Sequence, residues 1–389
     1  MSTSAPGFRA LTISAAAAGL LAILLNTIWG TDYPDIDTVA SNLDTFSAKY
    51  LTVRPFDALA LINHSQSGQS QAGATSANRD HMLALASHLA PNDVEVVKAL
   101  AASAFQRGET LVGLNHVARW AGISPADRPA AINILLSAAG NREWERFITD
   151  QLKTNWPLAD TLLLAACGKL GGNQLLALGA AISRSVAIRS ETVACVSRKL
   201  VAENRSPDAR AFWLATLRPL PAKIGHVFNG DFSLPQGNGP FNWTLAEGGE
   251  FRDGFRIGIV NGAASDGKAP ALLARFNGRR VDSALATQSL ALPPGSYRLR
   301  YATKQSGFIG TESARWILRC SPTENIIEQR SEPTQLLQDG WSTSLGLLTI
   351  AETCIGQSIR LELSSRLQQL TGTNGTAAFA YVEIERVNI

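Results

Sequence analysis

Three textures of apolar and polar positions follow one another along the chain. From Ala10 to Trp29 the run ALTISAAAAGLLAILLNTIW is twenty residues long and carries no charge. At about 1.5 Å per residue this covers the roughly 30 Å of a bilayer core, so it predicts one membrane-crossing helix. From 35 to 220 the apolar residues, mostly Ala and Leu, recur at helical spacing. Turn marks interrupt them at Arg54-Pro55, Ala90-Pro91-Asn92-Asp93 and Ser124-Pro125-Ala126-Asp127. Later helices are predicted over Asn141–Lys153, Leu158–Leu170, Asn173–Arg184, Ser190–Glu203 and Asp208–Leu217. The proline-rich stretch Leu217–Lys223 ends them and marks a linker. From His226 the pattern changes to short alternating runs, among them Tyr297–Ala302, Arg315–Cys320, Ser358–Leu363 and Phe379–Glu385. Alternation without intervening helices predicts an antiparallel β-sandwich over 226–389.

The opening run reads as an uncleaved anchor rather than a cleaved signal. A cleavage site needs small residues in an A-x-A-like pattern, and Asn26-Thr27-Ile28-Trp29-Gly30 has none. Trp29 and Tyr33 fall where interfacial aromatics belong. Arg9 precedes the run, whereas Asp32, Asp35 and Asp37 follow it with no Lys or Arg before Lys49. That bias places residues 1–9 in the cytoplasm, 10–29 in the membrane and the body outside. A cleaved signal, the alternative, would export the same body.

Charge and cysteines narrow the function. Charged residues make up 17% of the chain and the net charge is +3, too little for the positive field that nucleic-acid binding needs. The four cysteines fall as Cys167 with Cys195 and Cys320 with Cys354, with no C-x-x-C and no histidine at metal-ligand spacing. In an oxidising compartment each pair reads as a disulfide, the alternative being buried thiols. His64, His81, His88, His116 and His226 have no carboxylate or thiol completing a catalytic constellation, and no G-x-S-x-G elbow occurs. Gly168-Lys169-Leu170-Gly171-Gly172 lacks the spacing of a phosphate loop. The expectation is a non-enzyme with neither catalytic residues nor a catalytic metal. A carbohydrate-active enzyme remains an alternative, since paired carboxylates are set by the fold.

The helical stretch resembles a degenerate tetratricopeptide repeat. Pro91 and Pro125 stand 34 residues apart, small residues fall at Ala101 and Gly113, and Gly108 sits at the inter-helix turn. Leu100, Ala104 and Val117 take inward places, while Ser65–Ser76 reads as a flexible loop. Such stacks offer a groove to a protein partner, or serve as a spacer. Trp120, Trp144, Trp156 and Trp213 read as packing residues.

The strand-rich part resembles the galactose-binding-like jelly rolls that include many carbohydrate-binding modules. The likeness runs from Phe228-Asn229-Gly230-Asp231-Phe232 and Pro240-Phe241-Asn242-Trp243 through Ala274–Gly278 and Leu292–Leu299 to Gly372–Phe379. It implies sugar stacking on flat aromatics, with Trp341, Trp243 and Trp316 as candidates and Tyr301 behind them. Burial in the sandwich is the leading alternative for each, Trp316 alternating within a strand and Trp243 packing beneath the sandwich in the family. Trp341, after the turn Gln338-Asp339-Gly340, is the one expected to be most exposed. The family often holds a structural calcium between first and last strands. Asp231 fits one end, but Ala380-Tyr381 stands where an acidic pair is common. Together the architecture resembles membrane-anchored accessory proteins of bacterial exopolysaccharide systems, which implies the inner membrane, a periplasmic body, an envelope protein partner and a polysaccharide. A purely structural protein–protein scaffold is the rival reading.

Overall fold

The computed structural model describes residues 57–58, 61–62, 76–217, 224–246, 254–264, 266–281, 284–308, 313–327, 329–331, 335–363 and 372–387. The Ala10–Trp29 run and most of the Ser65–Ser76 stretch lie outside them. Among the described residues no helix is long and apolar enough to cross a membrane. The chain divides into two compact units between Thr154 and Asn155. The change from helical to strand texture comes later, inside the second unit.

The first unit carries α1 (Ser76–Leu89), α2 (Val94–Gln106), α3 (Thr110–Ile123), α4 (Arg128–Ser137) and α5 (Arg142–Lys153). Their starts are chemical. The Asp93 carboxylate accepts from the backbone N–H groups of Glu95 and Val96 at 2.9 and 3.2 Å, and Asn141 accepts from Trp144 N–H at 2.7 Å. Pro129 sits in the first turn of α4, where its missing N–H costs nothing. Helices α2 and α3 pack together across a turn in which Gly108 has φ +75°. They approach closely because Gly113 has no side chain: a Cβ there would lie 2.6 Å from the Phe105 ring. Ala101, Ala104 and Val117 are buried as their spacing predicts; Leu100 is only half-buried.

The second unit opens with α6 (Ala159–Cys167), α7 (Gly172–Ser185), α8 (Ser190–Ala202) and α9 (Ser206–Thr216). Cys167 and Cys195 are joined, tying α6 to α8. Then follow β1 (Thr244–Leu245), β2 (Phe255–Val260), β3 (Ala271–Asn277), β4 (Ala286–Leu290), β5 (Gly295–Ser306) and β6 (Ala314–Ser321). The rest are β7 (Asn325–Ile326), β8 (Gln329–Ser331), β9 (Gln335–Leu336), β10 (Ser342–Ile350), β11 (Gly356–Leu363) and β12 (Asn374–Arg386). One sheet runs β1-β4-β11-β6-β7; the other runs β2-β3-β12-β5-β10-β8, with β9 also on β10. All pairings are antiparallel. The inward faces of both sheets share one core, which includes Trp243, Trp316, Phe379, Leu299, Leu361 and Ile359. This is the sandwich the alternation predicts.

Helix α9 is part of that second unit. Trp213 packs its ring on Phe228 at 4.7 Å and Phe241 at 5.6 Å, both in the segment leading into β1. Arg210 donates to the carbonyls of His226 and Gly225 at 2.9 and 2.6 Å. A Cβ on Gly356 would lie 2.2 Å from the Ser206 hydroxyl. The linker texture thus separates two elements that touch.

Candidate carbohydrate-binding face

The three tryptophans that are candidates to stack on sugar are all buried, as the burial alternative has it: Trp243 and Trp341 are 3% exposed and Trp316 is 0% exposed. Trp243 and Trp316 lie 5.1 Å apart in the sandwich interior, with Phe232 and Phe379 beside them. Trp243 donates its indole N–H to the Asn229 carbonyl at 2.8 Å. Tyr301 is also inside, and burial pushes its phenol pKa up. Trp341 corrects the expectation most clearly. It packs with Ala271, Ala302 and Ala378 in a second cluster, against Ala263, Ala264 and Tyr381. The cause is a slot of small side chains on the outer face of the seven-stranded sheet. An indole fills that slot, which no local feature of Gly340-Trp341-Ser342 announces.

The opening motif has a structural role. Asn229, at φ 48°, exchanges two hydrogen bonds with the backbone of Leu234, at 2.8 and 2.9 Å. Gly230 meets β12 so closely that a Cβ would lie 2.1 Å from the Val382 carbonyl, and Val382 N–H donates to Gly230 at 2.8 Å. Asp231 accepts from the Ser233 hydroxyl at 2.9 Å. Among the described residues no group of three His, Cys, Asp or Glu side chains gathers around it or elsewhere.

Around the Trp341 slot, the outer face of the larger sheet carries exposed polar side chains. In β12 Ala377, Phe379, Val382 and Ile384 point inward, so Thr376, Ala378 and Glu383 point out. The same alternation turns Arg298, Arg300 and Lys304 of β5 outward, with Arg275 of β3 and Arg256 of β2. A bulge at Phe379/Tyr381 breaks the β12 register, and Tyr381 stands next to Ala302. The Arg300 guanidinium lies 5.7 Å from the Tyr381 ring and is ion-paired with Glu383 across the strands. Further along, the Ser306 and Thr376 hydroxyls meet at 2.8 Å. One half-buried aromatic ring, a charged pair that fixes its environment, and a line of hydroxyls and cations form a shallow polar face. The chemistry available is hydrogen bonding and stacking.

None of these outward residues is singled out by the sequence. Arg298 and Arg300 could be read as outward from the Tyr297–Ala302 alternation, but their neighbours come from strands far along the chain.

No protein-family model and no curated protein matches the chain. Similar solved structures include a CBM22-1 xylan-binding domain from Paenibacillus barcinonensis, at 11% identity and TM-score 0.29 over 41% of this chain and 93% of that one. A CBM4 structure is similar at 18% identity and TM-score 0.29, over 41% and 99%. A CBM61 in complex with β-1,4-galactotriose follows at 14% identity and TM-score 0.27, over 42% and 100%. Identities and TM-scores this low assign neither family nor function.

Proposed function

We propose that the sandwich is a non-catalytic polysaccharide-binding module and that the outer face of its seven-stranded sheet is the binding surface. The observation that carries this is the half-buried Tyr381 ring set in that face beside Arg300 and its partner Glu383, with the Ser306 and Thr376 hydroxyls further along the same strands. A pyranose has apolar ring faces and equatorial hydroxyls, and such a surface answers both. The apolar Ala10–Trp29 run supports a tether holding the module at a membrane, with residues 1–9 cytoplasmic and the body exported. Two disulfides fit an oxidising compartment. On this reading the helical part docks an envelope protein, and the whole serves exopolysaccharide synthesis or export at the bacterial inner membrane.

Affinity electrophoresis of the full chain through gels containing xylan, β-galactan, mixed-linkage glucan or polyuronate tests the module. Retardation by at least one polymer is expected, together with its loss in Tyr381→Ala. Unretarded migration in every gel removes the proposal and leaves the rival, a scaffold whose sandwich contacts protein. A reporter fused after Ile389 tests the topology: activity only when exported is expected, and activity confined to the cytoplasm reverses it.

A further inference from the structure

Resting on the binding face just described, we infer that its polymer is polyanionic, a glycan bearing carboxylates, held by Arg256, Arg275 and Lys304. The register puts four residues directly opposite one another across four strands. Arg256 of β2 faces Arg275 of β3, Arg275 faces Thr376 of β12, and Thr376 faces Ser306 of β5. Lys304 lies one outward position along β5, opposite Ala378. With strands about 4.8 Å apart, the row runs roughly 14 Å across the sheet. Both arginines and the lysine are exposed, and among the described residues no carboxylate pairs with any of them. The acids of this face, Glu383 and Glu385, lie seven and nine residues further along β12, where Arg300 takes Glu383.

Two like charges directly opposite on one face of an antiparallel pair destabilise the sheet. Neither strand needs an arginine there for its core, since the inward positions Phe255, Ala274 and Phe276 supply that. A feature that costs stability, exposes cations and adjoins paired hydroxyls is what an anionic ligand would repay. The next outward row is Gly258, Leu273, Ala378 and Lys304, and the Trp341 indole packs against it at Ala378, so the charged row borders an apolar patch. The net charge of +3 on the whole protein argues against the broad field that a nucleic acid would use, and for a local line of charge.

The test measures binding of the full chain to polygalacturonate and polymannuronate, each beside its methyl ester, which keeps the backbone and removes the charge. The acid forms should bind at least fivefold more tightly, with affinity falling as salt rises. Arg256→Gln with Arg275→Gln should lower affinity for the acid forms roughly fivefold to tenfold. Binding to the esters should fall by less than about twofold, since only neutral hydrogen bonds are lost there, and the lysine pair, R256K with R275K, should restore most of the loss on the acid forms. The glutamine variant should melt no lower than the parent, which separates lost charge from lost fold. Equal affinity for acid and ester, or an unchanged double variant, overturns the inference while leaving polysaccharide binding intact. Failure to bind these polymers and every neutral glycan removes the binding reading itself. Equally tight, arginine-dependent binding of duplex DNA or phosphatidylglycerol vesicles also overturns the inference.

Discussion

Gln288 shows how single residues hold the ends of this sandwich in place. It is buried on the inward side of β4, and its amide uses both ends: it accepts from Phe228 N–H at 2.9 Å and donates to the Phe228 carbonyl at 2.8 Å. Gln357 does the same on β11, accepting from Leu292 N–H at 2.7 Å and donating to the Cys354 carbonyl at 2.7 Å. Each side chain replaces the backbone partner that an irregular segment would lack. Gln288→Leu should therefore destabilise the protein by about 2–4 kcal/mol, because two buried backbone groups lose their partners at once. Urea unfolding measures this, and a loss below about 1 kcal/mol would contradict it. His226 offers a second test at this scale. Its ring meets Tyr297 edge-on at 5.5 Å, and burial, then Arg210 and Arg386, hold its pKa below the ordinary 6.5. The unfolded chain thus takes up a proton before the folded one does. The stability present above 6.5 is lost as pH falls through that value toward the folded pKa. H226Q should flatten this limb, leaving the contribution of His116, whose pKa is lowered in the same direction by burial and then Arg119 and Arg107. A stability–pH slope that the substitution leaves unchanged would refute the assignment.

Between elements, the strand ends are also tied covalently. Cys320 lies in β6 and Cys354 just before β11, neighbours in the five-stranded sheet, and the bond between them closes a loop of 34 residues. A loop of that length is worth about 3–4 kcal/mol in the chain-entropy picture. C320S with C354S should lower the guanidinium midpoint accordingly, with near-equal midpoints for parent and variant under reducing conditions. The helices after residue 140 were legible in the sequence to within three residues. The helix predicted from Asn141 begins one residue later, with Asn141 as its cap, and the Ser190 start of α8 is where spacing put it. The alternating runs all fall inside β5, β6, β11 and β12. The reason is local: period, caps and turn residues act within a few positions. The binding face was not legible. Arg256, Arg275 and Lys304 meet only through pairings among β2, β3, β12 and β5, and register is a property of pairs of strands. The tryptophans misled for a related reason, since an indole's burial depends on distant alanines.

Across the whole molecule, the position of Trp213 decides what counts as a folding unit. It is 2% exposed on a helix, yet its ring partners Phe228 and Phe241 belong to the strand-rich part. Residues 226–389 expressed alone would leave both phenylalanines uncovered, whereas 155–389 keeps them packed. The longer piece should unfold in one transition. The shorter should melt well below it or aggregate, and Trp213→Ala in the longer piece should cost about 3–5 kcal/mol. Equal melting temperatures for the two pieces would show that the helices add nothing.

The place of β12 in the larger sheet has a consequence for biosynthesis. It pairs with β3 on one side and β5 on the other, and it holds Gly230 at the very start of the sandwich. Until residues 374–386 have left the ribosome, the β2–β3 hairpin and the β5–β10 pair are separate pieces with open hydrogen-bonding edges. Nascent sandwich must therefore wait, unjoined, for a strand that is translated after all the others described, and it is exposed to aggregation while it waits. Slowing elongation ahead of residue 374 would prolong that exposure rather than relieve it.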